Sequence, residues 1–125
     1  MDDDERRAAG MTVRREVLGD EHVDRANAAI TDETARFQDF ITRVAWGDVW
    51  NSDVIDRRSR SMVTLAVLMA LGRDDELALH IRAAQRNGLS RQEVAEVFLH
   101  ASVYAGVPAA NTALRLLTQD RGTGD

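Results

Sequence analysis

Residues 73–88 read RDDELALHIRAAQRNG. Leu77, His80, Ile81 and Ala84 fall at i, i+3, i+4 and i+7, the spacing of one core-facing helical stripe. Gly72 and Gly88 bracket the segment, and Asp74 is placed to cap its start. Glu76 lies one turn before His80, within side-chain reach. An acid beside an imidazole on a half-buried face can form a proton-handling pair, because burial and a charged neighbour both retune such groups. The plainer reading of the same two residues, which comes first on these residues alone, is a satisfied core histidine and a favourable first-turn acid.

Upstream, Asp56 is a good N-cap for a helix over Arg57–Leu71, whose later part, MVTLAVLMAL, is apolar on every side and reads as the central buried helix. Arg57, Arg58 and Arg60 crowd its N-terminus, where the macrodipole favours anions. Either Asp53 and Asp56 neutralise them, or arginines and helix end together hold an anionic ligand. Gly72 leaves only a short connection, so the helix over 73–87 returns antiparallel.

Downstream, Ser90 with Glu93 forms a capping box and Leu89 with Val94 a hydrophobic staple, which assigns Glu93 a structural part. The helix they open carries Val94, Val97, Phe98, Ala101 and Ala105 on one stripe. Glu96, His100 and Tyr104 repeat by four on the next, a row fit for a pocket wall, a subunit contact or plain solvent exposure. Pro108 suits the first turn of a last helix through Leu117, and 119–125 read as a disordered tail. In the first half, a polar helix over Asp2–Leu18 stops at Gly19, and its thin apolar stripe suggests that it leans on a larger body. A short helix fits Asp20–Ile30. Helical spacing then runs from Phe37 to the WGDVW segment, whose tryptophans anchor a core or a subunit interface more readily than a pocket, and Asn51-Ser52-Asp53 is a turn.

The 125 residues fit one domain, and an apolar share of 44% with only 5% aromatics and one proline predicts an all-α, single-domain bundle of about six to seven helices. Absence of cysteine removes disulfides, thiol redox chemistry and zinc–cysteine sites. A net charge of −5 argues against nucleic acid and anionic membranes as partners. The acidic start MDDDERR and the lack of a spanning apolar run predict a soluble, cytoplasmic protein. No cofactor motif is present, and Glu76, His80 and His100 do not complete a metal-ligand pattern, so neither metal nor cofactor is expected.

The string DRRSRSMVTLAVLMALGRDDELALHIRAAQRNGLSRQEVAEVFLHASVYAGVPAA, residues 56–110, resembles the 4-carboxymuconolactone decarboxylase family. The resemblance continues upstream through FQDFITRVAWGDVW and MTVRREVLGDEHVDRA. It implies an alkylhydroperoxidase-like all-α bundle. The redox relatives in that larger group carry C-x-x-C-x-x-x-H-x-x-x-A-x-x-x-G, a frame that here reads Arg73, Glu76, His80, Ala84, Gly88. Charged residues replace both cysteines, so the redox activity does not carry over.

What the resemblance implies is cofactor-independent decarboxylation of 4-carboxymuconolactone to 4-oxoadipate enol-lactone in protocatechuate (β-ketoadipate) degradation. It also implies a homo-oligomer, commonly a hexamer. On that reading His80 and Glu76 are the catalytic candidates. Arg58, Arg60, Arg73, His100 and Tyr104 are the substrate-binding candidates for a small dianionic lactone. Family members often have an Arg-Pro-Gly-type turn after Trp50, where this chain has Asn51-Ser52-Asp53-Val54-Ile55. That departure keeps a second reading open, a sister decarboxylase or isomerase acting on another lactone or β-keto acid. A non-catalytic oligomeric scaffold is a third.

Overall fold

A computed structural model describes residues 1–121, all-α, with no strand among them. They divide into two compact units, Met1–Ile55 and the part from Asp56 onward.

In the first unit, helix α1 (Asp3–Leu18) starts where the Asp2 carboxylate accepts the Glu5 amide at 2.8 Å, and it stops at Gly19, whose φ of 92° suits glycine. Helix α2 (Asp20–Ala28) follows directly and ends two residues earlier than its sequence suggests. Helix α3 (Ala35–Ile41) continues into a wide π-helical stretch over Thr42–Val49, which closes with the Trp50 amide donating to the Ala45 carbonyl. The larger body on which α1 leans is this π stretch. A Cβ at Gly10 would lie 2.0 Å from the Thr42 carbonyl oxygen, and one at Gly47 would lie 2.3 Å from that of Arg6. The two backbones therefore touch with no side chain between them. Val13, Val17, Val23 and Trp46 are buried nearby in sequence order, and Trp46 stacks at 5.3 Å on Trp50. Arg14 is buried as well, donating to the Gln38 side chain at 3.3 Å, a placement the polar look of α1 gives no hint of.

In the second unit, helix α4 (Arg57–Leu71) is capped as expected, the Asp56 carboxylate accepting the Ser59 amide at 2.7 Å. Gly72 adopts the left-handed conformation, and the Arg73 amide reaches back to the Leu68 carbonyl, turning the chain within two residues. Helix α5 (Asp74–Arg86) begins at Asp74 itself. Asp74 is therefore a first-turn acid, with Arg73 in the capping position and no side-chain cap bond. Helix α6 (Arg91–Ala105) opens on the complete Ser90–Glu93 capping box, with Leu89 and Val94 both buried beside it. Helix α7 (Val107–Gln119) carries Pro108 in its first turn.

The core of this unit joins Leu65, Met69, Leu77, Ile81, Phe98 and Leu117. One expectation fails here. Helix α4 is not buried all round: it sinks Ser61, Leu65 and Met69 and leaves Val63, Val67 and Leu71 exposed. A fully apolar sequence names no inward face, and the neighbours α5, α6 and α7 cover only one side. The expected tail over 119–125 is also corrected at its start. Gln119 ends α7, and the nearly buried Asp120 side chain accepts from Gln85 at 2.9 Å and Arg91 at 3.0 Å. The remainder of the expected tail, 122–125, lies outside the described residues.

Candidate active site

Helix α5 presents His80 between the buried Leu77, Ile81 and Ala84, so the imidazole is held at the edge of the core with 11% of its side chain exposed. Glu76, 63% exposed, brings Oε2 to 4.0 Å from His80 Nε2. That is an ion-pair separation rather than a hydrogen bond, and its attraction exists only while the imidazole is protonated. Arg73, at the head of the same helix, is exposed.

Helices α4 and α6 enclose an open groove of ≈ 480 Å³. Its floor is carbon, from Met62, Val63 and Ala66 on α4 and Val97 and Ala101 on α6. Glu93, Glu96 and His100 stand along the α6 wall at intervals of three and four residues, which is why one helix can aim all three at one space. Tyr104, one turn beyond, is 81% exposed and outside the lining, its ring 5.7 Å from that of His100.

Glu93 ties the groove to the arginine cluster. Arg58 Nη1 donates to Glu93 Oε1 at 3.3 Å, Nη2 donates to Oε2, and Nη1 also donates to the Gly88 carbonyl. Glu93 Oε1 accepts the Ser90 amide at 2.9 Å as well. The Arg58 guanidinium, with the Ser90 amide second, holds the Glu93 carboxyl down at about 2, and Glu93 in turn raises Arg58. Arg60 is half-buried on the same helical turn, where its carbonyl accepts the Thr64 hydroxyl at 2.8 Å. The crowding of cations at this helix N-terminus is thus partly answered from α6, by Glu93. Asp56 spends a carboxylate oxygen on the helix cap.

The structure accordingly brings Glu93, His100 and, through Glu93, Arg58 around one groove, and brings His80 and Glu76 together on α5. Neither His80 nor Glu76 lines the groove. Among the described residues no three His, Asp or Glu side chains converge in a metal-holding arrangement. An apolar floor can desolvate a carboxylate, and of the polar groups on its wall the His100 imidazole is the one that can donate a proton.

The model of the carboxymuconolactone decarboxylase family matches residues 35–119. This chain belongs to that family. It is 48% identical over 116 residues, 93% of its length and 87% of the other's, to a 4-carboxymuconolactone decarboxylase of Acinetobacter baylyi (strain ATCC 33305 / BD413 / ADP1). It is 41% identical over 110 residues, 88% of its length and 76% of the other's, to the nitrosuccinic acid decarboxylase npaB of Metarhizium robertsii (strain ARSEF 23 / ATCC MYA-3075). A 4-carboxymuconolactone decarboxylase of Pseudomonas putida is 54% identical over 48 residues, 38% of this chain and all of the other sequence.

The segment matched by the carboxymuconolactone decarboxylase family contains every candidate residue named from the sequence, from Arg58 to Tyr104. The residue that sequence reasoning passed over is Glu93. Its capping box gave it a sufficient local purpose, and its pairing with Arg58 spans 35 residues with no periodic signal to announce it.

Proposed function

We propose that this member of the carboxymuconolactone decarboxylase family catalyses the cofactor-independent decarboxylation of 4-carboxymuconolactone to 4-oxoadipate enol-lactone, in the cytoplasm. The observation that carries the reading is the 48% identity, over 93% of the chain, to a protein of that name. The chemistry asks little of a protein. The departing carboxylate sits on the γ-carbon of an unsaturated lactone. When that C–C bond breaks, its electron pair runs through the ring double bond onto the lactone carbonyl, carbon dioxide leaves, and one proton returns to the α-carbon. The substrate is its own electron sink. The protein has to hold two carboxylates, favour neutral carbon dioxide over the anion, stabilise the dienolate oxygen and deliver the proton.

The carbon floor of the α4–α6 groove supplies a water-poor seat for the departing group. An arginine from the cluster Arg58 and Arg60, or Arg73, holds the retained carboxylate through its planar fork. His80, beside Glu76 on α5, and His100, on the groove wall, are the two candidates to deliver the proton, and Tyr104 supplies a further donor. The same reading includes self-association into a homo-oligomer, a hexamer as the family resemblance implies. Its support is the apolar surface left uncovered on α4 and on α6, where Leu99 and Val103 are exposed.

A second reading has its own support in the nitrosuccinic acid decarboxylase at 41% identity. A 2-nitro dicarboxylic acid also loses carbon dioxide into a built-in sink, the electron pair passing to the nitro oxygens. One scaffold can therefore serve several small dicarboxylic acids of this kind. The deciding experiment generates 4-carboxymuconolactone enzymatically from carboxymuconate and adds the purified protein with and without chelator, following carbon dioxide and enol-lactone. Chelator-insensitive turnover is the expected result. A well-folded protein inactive on this lactone but active on nitrosuccinate would replace the first reading with the second.

A further inference from the structure

We propose that the Nε/Nη2 edge of Arg58 is the subsite for the carboxylate the substrate retains, and that Glu93 is a positioning residue that holds this guanidinium in place. The inference rests on the decarboxylase reading above. It adds which arginine, which edge of it, and what fixes that edge.

A guanidinium has five N–H donors in one rigid plane. In Arg58 the terminal edge is filled, Nη1 and Nη2 facing the two oxygens of Glu93, and the outer Nη1 hydrogen is directed to the Gly88 carbonyl. What remains is the Nε–H and the second Nη2 hydrogen. These two point the same way from the side of the plane, and among the described residues neither donates to a partner. This side edge is a bidentate match for a carboxylate. The side chain is 42% exposed, so the edge is reachable.

Three contacts immobilise the group before any ligand arrives. Glu93 grips its end, the Gly88 carbonyl takes one Nη1 hydrogen, and Gly88 itself lies along the stem, where a Cβ would stand 3.5 Å from Arg58 Cγ. Gly88 has a φ of +99°, a conformation that keeps this position to glycine. An arginine already fixed in one rotamer loses less freedom on binding than a free one.

Arg58 and Glu93 cancel one another at long range. The N-terminal end of the α4 dipole attracts an incoming anion, and Arg58 gives it direction. Glu93 also lines the groove, so its ion pair ties Arg58 to the groove wall. A dicarboxylic lactone anchored there by its acetate arm can place its departing carboxylate over Met62, Ala66 and Val97.

The test compares two substrates on the intact protein. One is 4-carboxymuconolactone, and the other is the γ-carboxybutenolide in which the acetate arm is replaced by methyl. The second can decarboxylate through the same dienolate but has nothing for Arg58 to hold. Wild type should prefer the dicarboxylate in kcat/KM by tenfold or more. In Arg58→Lys, which keeps the charge and loses the fork, that preference should collapse, with KM rising far more than kcat falls. Glu93→Gln preserves the capping box, so it should fold, and it should lower the preference several-fold, again through KM. Folded variants with the wild-type preference would overturn the inference and leave the decarboxylase reading standing. A wild-type protein that turns over neither substrate would instead overturn the reading itself. Should Arg58→Lys fail to fold, Glu93→Gln carries the same comparison alone.

Discussion

His80 and His100 divide the candidate chemistry between them, since each is an imidazole beside an acid on its own helix and only His100 faces the groove. General acid catalysis by a placed side chain contributes about 10²–10⁴ in rate, so His80→Ala should lower kcat by about 10²-fold or more with KM changed little. The parallel measurement on His100→Ala decides between them: if that variant alone loses turnover, His80 leaves the mechanism. Glu93 makes a prediction about acid. Its carboxyl titrates at about 2 in the fold, against the ordinary 4.5, because Arg58 and the Ser90 amide hold the anion. Between those values the unfolded chain binds the proton and the folded one does not. The contribution to stability is therefore complete above pH 4.5 and disappears as pH falls toward 2. Glu93→Gln should unfold with a flatter pH dependence across that window, as chemical denaturation at pH 5, 4 and 3 would read. Asp39, held at about 2 by Arg7 and then Arg43, should retain its own acid sensitivity in the variant.

At the scale of elements, signals confined to one turn of chain were legible in the sequence, the Asp74 cap excepted. The Asp56 cap, the Gly72 reversal, the Ser90–Glu93 box and Pro108 at the start of α7 all lie where their residues place them. What stayed hidden depends on partners distant in sequence. The exposed side of α4 is one case, since periodicity cannot choose a face on a helix apolar everywhere, and the burial of Arg14 is another. The π stretch is a third: Thr42–Val49 has an ordinary helical pattern, and its wider turns go with a close backbone crossing that only the folded unit contains. Gly10→Ala puts a methyl 2.0 Å from the Thr42 carbonyl oxygen, backbone against backbone, so it should cost about 1–3 kcal/mol or more of stability. A thermal melt no lower than that of wild type would show that α1 can move aside.

For the whole molecule, two features reach beyond individual helices. Asp120 draws Gln85 and Arg91 to one carboxylate, with Arg82 at 3.6 Å, so the residue after α7 fastens α5 and α6. Asp120→Ala should cost about 1–3 kcal/mol, read from the denaturant midpoint, because it strips donors of their acceptor in a nearly buried place. The exposed apolar surface on α4 and α6 belongs to the same scale. Sedimentation velocity should find an oligomer, and Val103→Asp, altering a side chain in a residue 77% exposed, should shift it toward smaller species with the helical signal intact. A wild-type monomer at micromolar concentration would end the oligomer reading. Of the candidate site, the sequence made its residue types legible, but their grouping around the groove came from the packing of α4 against α6.

The bare crossing at Gly10 and Gly47 bears on how a map of mutational tolerance for this chain would look. Both positions would reject nearly every substitution, as sharply as a proton donor does, although a glycine has no side chain with which to do chemistry. Ranked by intolerance alone, two of the most prominent positions would lie far along the chain from His80 and His100. Scoring each variant for soluble yield alongside turnover would separate the classes: changes at positions 10 and 47 should lower the yield of folded protein, whereas changes at the reacting groups should leave it abundant and idle.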